Sequence, residues 1–306
     1  MRSHDGDDNI SACYPVRVAG SLCISIDVEL GWGIWDKPNP QYHRRCIERE
    51  AHIVESLLTQ FVERDIAATW AIVGRLLERD EAPLSSTLRN DKLWFAPELV
   101  ESIRGARVRQ DIGSHGYAHI YFGEASREEL RADLLAAKRV HDRHGLSLDS
   151  FVFPRNQVAH LDLLREIGVR VFRSIDHGWF MDVRNTAGRL AGRIAHLADN
   201  LLPLAPRTVI PRRDSGLTEL PSSMLLLARN GLRQAIPPRV TISKAKRGLD
   251  AAARDGNVFH LWFHPSNFYF HTKERLETLG VILDHATALR SNGRLAIKPM
   301  SSFAAQ

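Results

Sequence analysis

The sequence has no long apolar run and very little cysteine. No stretch approaches the roughly 20 apolar residues that a membrane-spanning helix needs, so we expect any membrane contact to be peripheral. The three cysteines, Cys13, Cys23 and Cys46, are odd in number and lack the spacing of a disulfide framework. Reduced thiols are therefore predicted. The polar, acidic residues 1–9 contain no apolar segment of a signal peptide, and together these features predict a cytoplasmic protein.

Dense basic clusters, low-complexity tracts and internal repeats are also missing. The 41 lysines and arginines exceed the 36 acidic residues by only five, and the arginines are scattered, so we expect no nucleic-acid partner. The composition, 44% hydrophobic and 25% charged, is typical of a soluble globular protein. We predict a disordered segment over residues 1–15 and a single folded domain over residues 16–306.

Short apolar runs alternate with segments of helical periodicity along the chain. This pattern predicts βα units around a parallel sheet, and about seven units favour an α/β barrel over an open sheet. The predicted strands are 22–26, 66–73, 108–112, 151–153, 169–172, 217–220, 258–263 and a short one at 295–297. The predicted helices are 43–64, 97–104, 126–145, 158–167, 243–254 and 272–291. Residues 181–256 are the least regular part.

Carboxylates and histidines follow the first and third predicted strands. Asp27 and Glu29 are two apart, so in a continuing strand both point the same way. His115 and His119 are four apart and share a face if their segment is helical. Because strand ends of a parallel barrel meet at one face, the two histidines and Glu29 form a possible metal set, with Asp27 beside it as general base. Solvent-facing or internally satisfied side chains are the alternative interpretation.

Polar residues also follow the fourth, fifth and seventh strands. His264 ends the seventh strand and is placed to protonate a leaving group, the alternative being a core histidine that closes the barrel. Arg155 is predicted to hold Asp27 ionised, unless it is an ordinary surface arginine. Asp176 and Trp179 are predicted to orient His264 and to form an apolar wall, unless they are ordinary loop residues.

Tryptophans near the strand ends are candidates for stacking on sugar rings. They are Trp32, Trp35 and Trp70, and packing in the core or in loops is the favoured interpretation of each.

Taken in order, these segments resemble the motifs of the polysaccharide deacetylase family, also called NodB-homology proteins or carbohydrate esterase family 4. The resemblance covers residues 20–300. It runs through Asp27-Val28-Glu29, Ser114–His119, Pro154-Arg155, loosely Asp176–Trp179, and Leu261–His264. The first motif has one residue between its two acids. In this respect the motif is similar to that of the non-secreted branch of the family, which acts on small or lipid-linked amides. Glu29 stands where aspartate is usual, and Arg155 follows the proline instead of preceding it.

This resemblance implies a fold, an activity and a set of site residues. The fold is a distorted (β/α)7, TIM-like barrel, in agreement with the strand count. The activity is metal-dependent removal of an acetyl or formyl group from an amino sugar, on a nucleotide-linked or lipid-linked precursor of a surface polysaccharide such as O-antigen. Asp27, His264 and Arg155 would be catalytic. Glu29, His115 and His119 would bind one divalent metal ion, which is expected to be zinc in preference to cobalt, nickel or iron. The residues expected to contact substrate are Pro154, Asn156, Asp176 and Trp179.

Two other functions remain open from the sequence. One is a non-catalytic glycan-binding protein on the same barrel, for which the departures at Glu29 and Arg155 would be decay of the site. The other is a hydrolase of a non-sugar cyclic amide, which would use the same residues on a different substrate.

Overall fold

The computed structural model describes residues 19–34, 45, 48–78, 93–175, 185–188, 190–192, 195, 198–199 and 201–304. The predicted disordered segment 1–15 lies outside these residues. Within the described part of the chain, no helix combines the length and the apolar character that crossing a membrane requires.

The described strands and helices alternate along most of the chain. The strands are β1 (Gly20–Val28), β2 (Thr69–Ile72), β3 (Asp111–Ser114), β4 (Ser150–Val152), β5 (Val171–Ile175), β6 (Arg212–Asp214), β7 (Leu217–Ser222), β8 (Met224–Leu225), β9 (Val258–Phe263) and β10 (Leu295–Ile297). The helices are α1 (Glu50–Glu63), α2 (Pro97–Arg104), α3 (Arg127–Arg143), α4 (Leu161–Glu166), α5 (Pro238–Asp255) and α6 (Thr272–Ser291).

The strands form a closed circuit. Parallel pairing runs from β9 through β1, β2, β3, β4 and β5 to β7. Only Ser223 separates β7 from β8, and β8 pairs in parallel with β9. The β7–β8 segment therefore links the two ends of the sheet and makes it a seven-stranded barrel. The predicted distorted (β/α)7 fold is confirmed, with β6 and β10 as additions outside the circuit.

Buried strands explain why the sequence shows continuous apolar runs instead of alternation. Every residue of β1 and β9 is buried, because helices cover the outside of a parallel barrel while side chains fill its interior. The main core lies between the sheet and the helices and includes Leu57, Phe61 and Trp70.

The amino end of the barrel is closed by the turn Met300–Phe303. The Met300 amide donates to Thr69 Oγ1 at 2.7 Å, and the Ser301 amide donates to Asp111 Oδ2 at 3.2 Å. Hydroxyls of Thr69 and Ser150 also donate to Asp111, at 2.7 and 2.8 Å. Asp111 thus has a structural role at this end, beside a cavity of about 500 Å³, whereas the predicted site residues lie at the carboxyl ends of the strands.

Most predicted elements match the structure, and the differences have simple causes. The prediction is confirmed for strand 258–263 and for helices 97–104 and 272–291. Ser126 caps α3 through a reciprocal capping box with Glu129, as predicted. The third strand, predicted at 108–112, is observed at Asp111–Ser114, since pairing with β2 fixes the start of the strand.

Candidate active site

Three imidazoles converge on the carboxylate of Glu29, directly after β1. Glu29 Oε1 lies 3.0 Å from His115 Nε2, 3.2 Å from His119 Nε2 and 3.3 Å from His264 Nε2. Burial alone would raise the pKa of Glu29, but the charges of His264 and His119 outweigh it and hold that pKa well below the usual range. A Cβ at Gly33 would stand 1.9 Å from Glu29 Oε2. Any residue other than glycine at position 33 would therefore displace this carboxylate.

His115 is held so that one ring nitrogen is committed and the other faces the site. It follows β3, it is 1% exposed, and its Nδ1 lies 2.7 Å from the Val152 carbonyl oxygen. A proton on Nδ1 satisfies that carbonyl and leaves the Nε2 lone pair aimed at Glu29. A lone pair facing a carboxylate is stabilised when a cation lies between them.

His119 reaches the same point from a loop and not from a helix. The chain turns at Gly116 (φ 77°), and His119 itself has φ 58°. The segment is therefore not helical, so the condition for a shared helical face is not met, but both histidines do face Glu29. Burial lowers the pKa of His119 in spite of the opposing effect of Glu29. Its Nδ1 is buried and has no hydrogen-bond partner among the described residues.

Asp133, on α3, holds the loop between the two histidines. Its Oδ2 accepts from the Tyr117 amide and its Oδ1 from the Ala118 amide, each at 2.8 Å. Burial raises the pKa of Asp133, and those two amides oppose the rise. Sequence analysis missed this residue; the available signal is an acid on the buried face of a helix, where a carboxylate needs donors.

Asp27 is paired with Arg173 and not with Arg155. Arg173 is fully buried on β5 and donates from Nη1 to Asp27 Oδ1 at 2.7 Å and from Nη2 to Asp27 Oδ2 at 2.6 Å. Burial would raise the pKa of Asp27, but Arg173 and His264 outweigh it and lower the pKa. Arg155 is exposed, with its guanidinium carbon 4.4 Å from the centre of the Tyr121 ring. The predicted contact between Arg155 and Asp27 is wrong.

Arg173 is fixed by a hydrogen-bond chain through the barrel interior. Its Nη1 donates to Ser25 Oγ at 3.0 Å, and Ser25 Oγ lies 2.9 Å from His260 Nε2. His260 Nδ1 lies 3.1 Å from the Pro221 carbonyl oxygen. Burial first, and then the charge of Arg173, lower the pKa of His260 to about 3. His260 is thus neutral: it donates to Pro221, accepts from Ser25 and leaves Ser25 oxygen free to accept from Arg173.

His264 is the site residue most open to solvent. Its side chain is 27% exposed, against 2% for Asp27, and its Nε2 lies 3.7 Å from Asp27 Oδ2. Burial would lower the pKa of His264, but Glu29 and Asp27 outweigh it and raise the pKa to about 9. Asn267 Oδ1 accepts from the His264 amide at 3.0 Å and fixes the backbone at the end of β9.

The remaining predicted site residues have different placements. Asn156 Oδ1 accepts from Arg173 Nη2 at 3.0 Å, so Asn156 supports the Asp27 pair. Pro154 is buried behind the histidine loop, near Gly116, and not at an open surface. Asp176 and Trp179 lie outside the described residues.

Two of the three candidate stacking tryptophans are packed away. Trp70 is fully buried and donates to Gln110 Oε1 at 3.1 Å. Trp32 packs edge-on against Trp94 with ring centres 5.1 Å apart, and its Nε1 donates to the Trp94 carbonyl. Packing, the favoured interpretation, is confirmed for both, and Trp35 lies outside the described residues.

Left-handed backbone conformations cluster at this face of the barrel. Leu30, His119, Arg155 and Asn156, which follow β1, β3 and β4, have φ values of 48°, 58°, 51° and 54°. Such conformations are unfavourable for residues other than glycine and concentrate at functional sites. They mark the same strand ends as the histidines and carboxylates.

The donor set fits a divalent metal ion. Glu29, His115 and His119 each offer a ligand atom within 4.8 Å of the others, and two imidazoles with one carboxylate are a zinc-type set that leaves a position open. Asp27, Glu29 and His264 form an overlapping set. The first set suits the ion better, because both Asp27 oxygens already pair with Arg173 and His264 is the most exposed residue.

The comparisons with known proteins define the class of fold. No family model matches the sequence, and no curated protein matches it either. A solved structure from Mycobacterium smegmatis, described as a polysaccharide deacetylase, shares 16% identity and a TM-score of 0.65 over 95% of this chain and 90% of that one. One from Pseudomonas aeruginosa PAO1, with the same description, shares 13% identity and a TM-score of 0.63 over 94% and 91%.

An allantoinase structure is similar to the same degree. It shares 13% identity and a TM-score of 0.63, covering 94% of this chain and 90% of that one. The chain therefore has the barrel fold of the polysaccharide deacetylases, and the resemblance predicted from its motifs is confirmed at the level of the fold.

Proposed function

We propose that this protein is a metal-dependent hydrolase that removes an acetyl or formyl group from the nitrogen of an amino sugar. The observation that carries the proposal is the convergence of Glu29, His115 and His119 with Asp27 and His264 at one end of the barrel. A metal set, an ionised carboxylate and a partly exposed imidazole are the groups that metal-assisted amide hydrolysis uses.

The ion would be held by Glu29, His115 and His119, and zinc is the proposed metal. When bound, it supplies Lewis-acid activation of water and of the amide carbonyl. Fixation of His115 through Val152 and of the histidine loop through Asp133 keeps these ligands in place before any ion binds.

Asp27 is the proposed general base. Its pKa is lowered, so it is ionised at neutral pH, and Arg173 fixes the plane of its carboxylate. Asp27 takes a proton from the attacking water as the bond to the acyl carbon forms. Each oxygen retains a lone pair beyond the one that Arg173 uses.

His264 is the proposed general acid. Its side chain is the most exposed of the set, and the residue directly follows β9. It gives a proton to the sugar nitrogen as the carbon–nitrogen bond breaks, so the amine leaves neutral. The carboxylic acid and the free amino sugar are the two products.

The proposed substrate is a nucleotide-linked or lipid-linked precursor of a surface polysaccharide such as O-antigen, and the proposed location is the cytoplasm. Cys23 is a free, buried thiol, in keeping with a reducing compartment. Cys13 and Cys46 lie outside the described residues.

Hydrolysis of a substrate panel tests the proposal. Zinc-loaded protein is assayed for release of acetate or formate from N-acetyl and N-formyl amino sugars, free and linked to uridine diphosphate, with allantoin as a further amide. Asp27→Asn and His264→Gln should each lower kcat by about 100-fold or more while keeping the metal. His52→Gln, at an exposed position on α1, is the matched control.

Other results of this assay would indicate a different function or would exclude Asp27 as the base. Turnover of allantoin without turnover of any sugar would indicate a cyclic-amide hydrolase. Sugar binding without turnover, unaffected by His264→Gln, would indicate a glycan-binding protein. Full activity in Asp27→Asn would remove Asp27 from the chemistry.

A further inference from the structure

Arg275 is a buried cation that pairs with no acid among the described residues. The residue is 1% exposed, and its Nε and Nη2 atoms are buried without an acceptor among the described residues. Phe268 lies 5.7 Å from its guanidinium carbon and offers only a ring face. Burial first, and then the charge of Arg229, lower the pKa of Arg275 to about 10. A buried charge without a partner is costly, so this position requires an explanation.

The position of Arg275 in its helix makes that cost larger. The residue lies in the first turn of α6, which begins at Thr272. A helix N-terminus carries a positive partial charge and stabilises anions, not cations. An anion beside Arg275 would be stabilised both by the guanidinium and by the helix.

Arg275 lines a small cavity with three other cations, Arg229, Arg233 and Lys244. Arg229 pairs with Glu274, and its Nη2 donates to the Gln234 carbonyl at 2.7 Å. The Arg229 Nε atom is buried without an acceptor among the described residues.

Among the described residues, two acids pair with cations of this cavity. Lys244 pairs with Asp199, as Arg229 does with Glu274, so in this part of the chain the four cations exceed the paired acids by two. A phosphate group carries up to two negative charges and presents oxygens that match the fork of an arginine.

The cavity has room for part of an oxyanion and no more. Its volume is about 20 Å³, somewhat above the roughly 10–15 Å³ that one water-sized sphere needs. An oxyanion can insert one oxygen toward Arg275 and leave the rest of its molecule at the mouth. A base or a sugar ring does not fit inside.

The cavity stands at the same end of the barrel as the candidate active site. The Leu226 amide donates to the Trp262 carbonyl at 2.9 Å, so the chain that carries Arg229 and Arg233 leaves the sheet beside the end of β9. Phe268, in contact with Arg275, is four residues from His264, a span of at most about 14 Å between Cα atoms. The cavity and His264 are therefore linked by one short stretch of chain after β9.

We propose that this basic cavity binds a phosphate of the substrate, so that the amino sugar is delivered as a phosphate ester. This inference rests on the proposed function and narrows it: the scissile amide lies near His264 while the phosphate is held by Arg275 and Arg229. The phosphate can belong to a nucleotide or to a lipid headgroup, and both share this chemistry.

Titration with inorganic phosphate tests the cavity independently of turnover. Calorimetry compares zinc-loaded wild type with Arg275→Met and Arg275→Lys; the control is Arg247→Gln, an exposed arginine on α5 outside the cavity. Arg275→Met should bind phosphate at least about 30-fold more weakly, the scale for removing one partner of a buried charge pair. Arg275→Lys should lose less, and Arg247→Gln nothing.

Thermal unfolding with and without phosphate distinguishes a loss of phosphate binding from a loss of stability. Because Arg275→Met removes a buried charge that pairs with no acid among the described residues, its thermal unfolding midpoint without phosphate should equal or exceed that of wild type. Phosphate should raise the midpoint of wild type and of Arg275→Lys but not that of Arg275→Met. Equal phosphate affinity in all four proteins, as expected if the ion binds only at the zinc, would overturn the proposal.

Two further arms identify the source of the phosphate. Displacement by uridine diphosphate that depends on Arg275 indicates a nucleotide carrier. Sedimentation with phosphatidylcholine vesicles only when they contain phosphatidic acid, again dependent on Arg275, indicates a lipid carrier. Failure of both, with inorganic phosphate still bound, would contradict a phosphate-ester substrate.

Measurement of hydrolysis separates an error in the phosphate site from an error in the proposed hydrolase function. Arg275→Met should lower kcat/KM for N-acetylglucosamine 1-phosphate about 30-fold more than kcat/KM for unphosphorylated N-acetylglucosamine, and Arg247→Gln should change neither. Equal losses on both substrates would remove the phosphate role while leaving the hydrolase intact. Phosphate binding without any hydrolysis would keep the cavity and remove the hydrolase.

Discussion

At the scale of single residues, the site depends on which charge lies beside which. Asp27 was predicted from its place after the predicted strand 22–26, and Arg155 from its place after the predicted strand 151–153. The arginine that meets Asp27 is instead Arg173, inside β5. A lone arginine in the apolar run Val171–Ile175 was the available signal, because a charge in a buried strand needs a partner. Which acid it meets depends on the closed barrel and is not visible in the sequence.

Replacing Arg173 by lysine should reduce turnover without removing the metal. Lysine keeps the charge but cannot donate to both oxygens of Asp27 at once, so the base loses its orientation. We expect Arg173→Lys to lower kcat by about 100-fold, measured with metal content and unfolding midpoint. Arg155→Lys, the matched control, should stay within a few-fold of wild type. The reverse order of effects would restore the role first predicted for Arg155.

At the scale of elements, the histidine loop illustrates what sequence patterns leave open. The spacing of His115 and His119 predicted a shared face only for a helical segment. The two residues lie in a loop, and both ring Nε2 atoms still face Glu29. Positive φ angles at Gly116 and His119 make the turn, and Asp133 on α3 supports it from behind. Helices with clear periodicity and caps, such as α3, were predictable because their signals are local, whereas the loop depends on a distant carboxylate.

Asp133→Asn should weaken metal binding through the loop. An amide can accept one of the two backbone N–H groups but presents its own donors to the other. The misplaced histidines should lower metal affinity by about 10- to 100-fold, measured by competition with a chelator. Asp142→Asn, on the exposed side of the same helix, where it pairs with Lys138, is the control. Unchanged affinity in Asp133→Asn would show that the loop holds its shape without this acid.

β9 contributes a pH dependence of stability through His260. Its pKa is lowered to about 3 in the folded protein, whereas the ordinary pKa of histidine is about 6.5. Between these two pH values His260 is therefore protonated in the unfolded chain and neutral in the folded one. The contribution of His260 to stability is therefore present above pH 6.5 and is lost as pH falls toward 3. The expected slope is about 1.4 kcal/mol per pH unit.

Urea unfolding of the chelator-treated protein between these pH values measures the slope. His260→Asn should be less stable overall but should have a slope smaller by about one proton, since the titrating group is gone. His52→Asn, at an exposed position, should keep the wild-type slope. Parallel curves for wild type and His260→Asn would show that His260 is protonated in the folded state.

At the scale of the whole molecule, the barrel separates a structural end from a reactive end. The β7–β8 segment closes the circuit, which a predicted strand at 217–220 alone did not indicate, because closure depends on pairing with β5 and β9. Met300–Phe303 packs against the amino end through Thr69 and Asp111. The candidate metal ligands lie at the carboxyl end.

Thr69→Val tests this separation. The change keeps the shape of the side chain but removes the oxygen that accepts from the Met300 amide and donates to Asp111. The free energy of unfolding should fall by about 1–3 kcal/mol, while kcat stays within a few-fold of wild type. Thr59→Val, at an exposed position on α1, should change neither quantity. A large loss of kcat would show that the two ends are coupled.

The most direct measurement for the central claim is the metal content of the purified protein. Elemental analysis compares wild type, His115→Ala and the exposed-site control His52→Ala. About one divalent ion per chain is expected in wild type and in the control, and none in His115→Ala. Wild type without an ion after exposure to zinc, cobalt and nickel, or unchanged content in His115→Ala, would contradict the metal site and the hydrolase built on it.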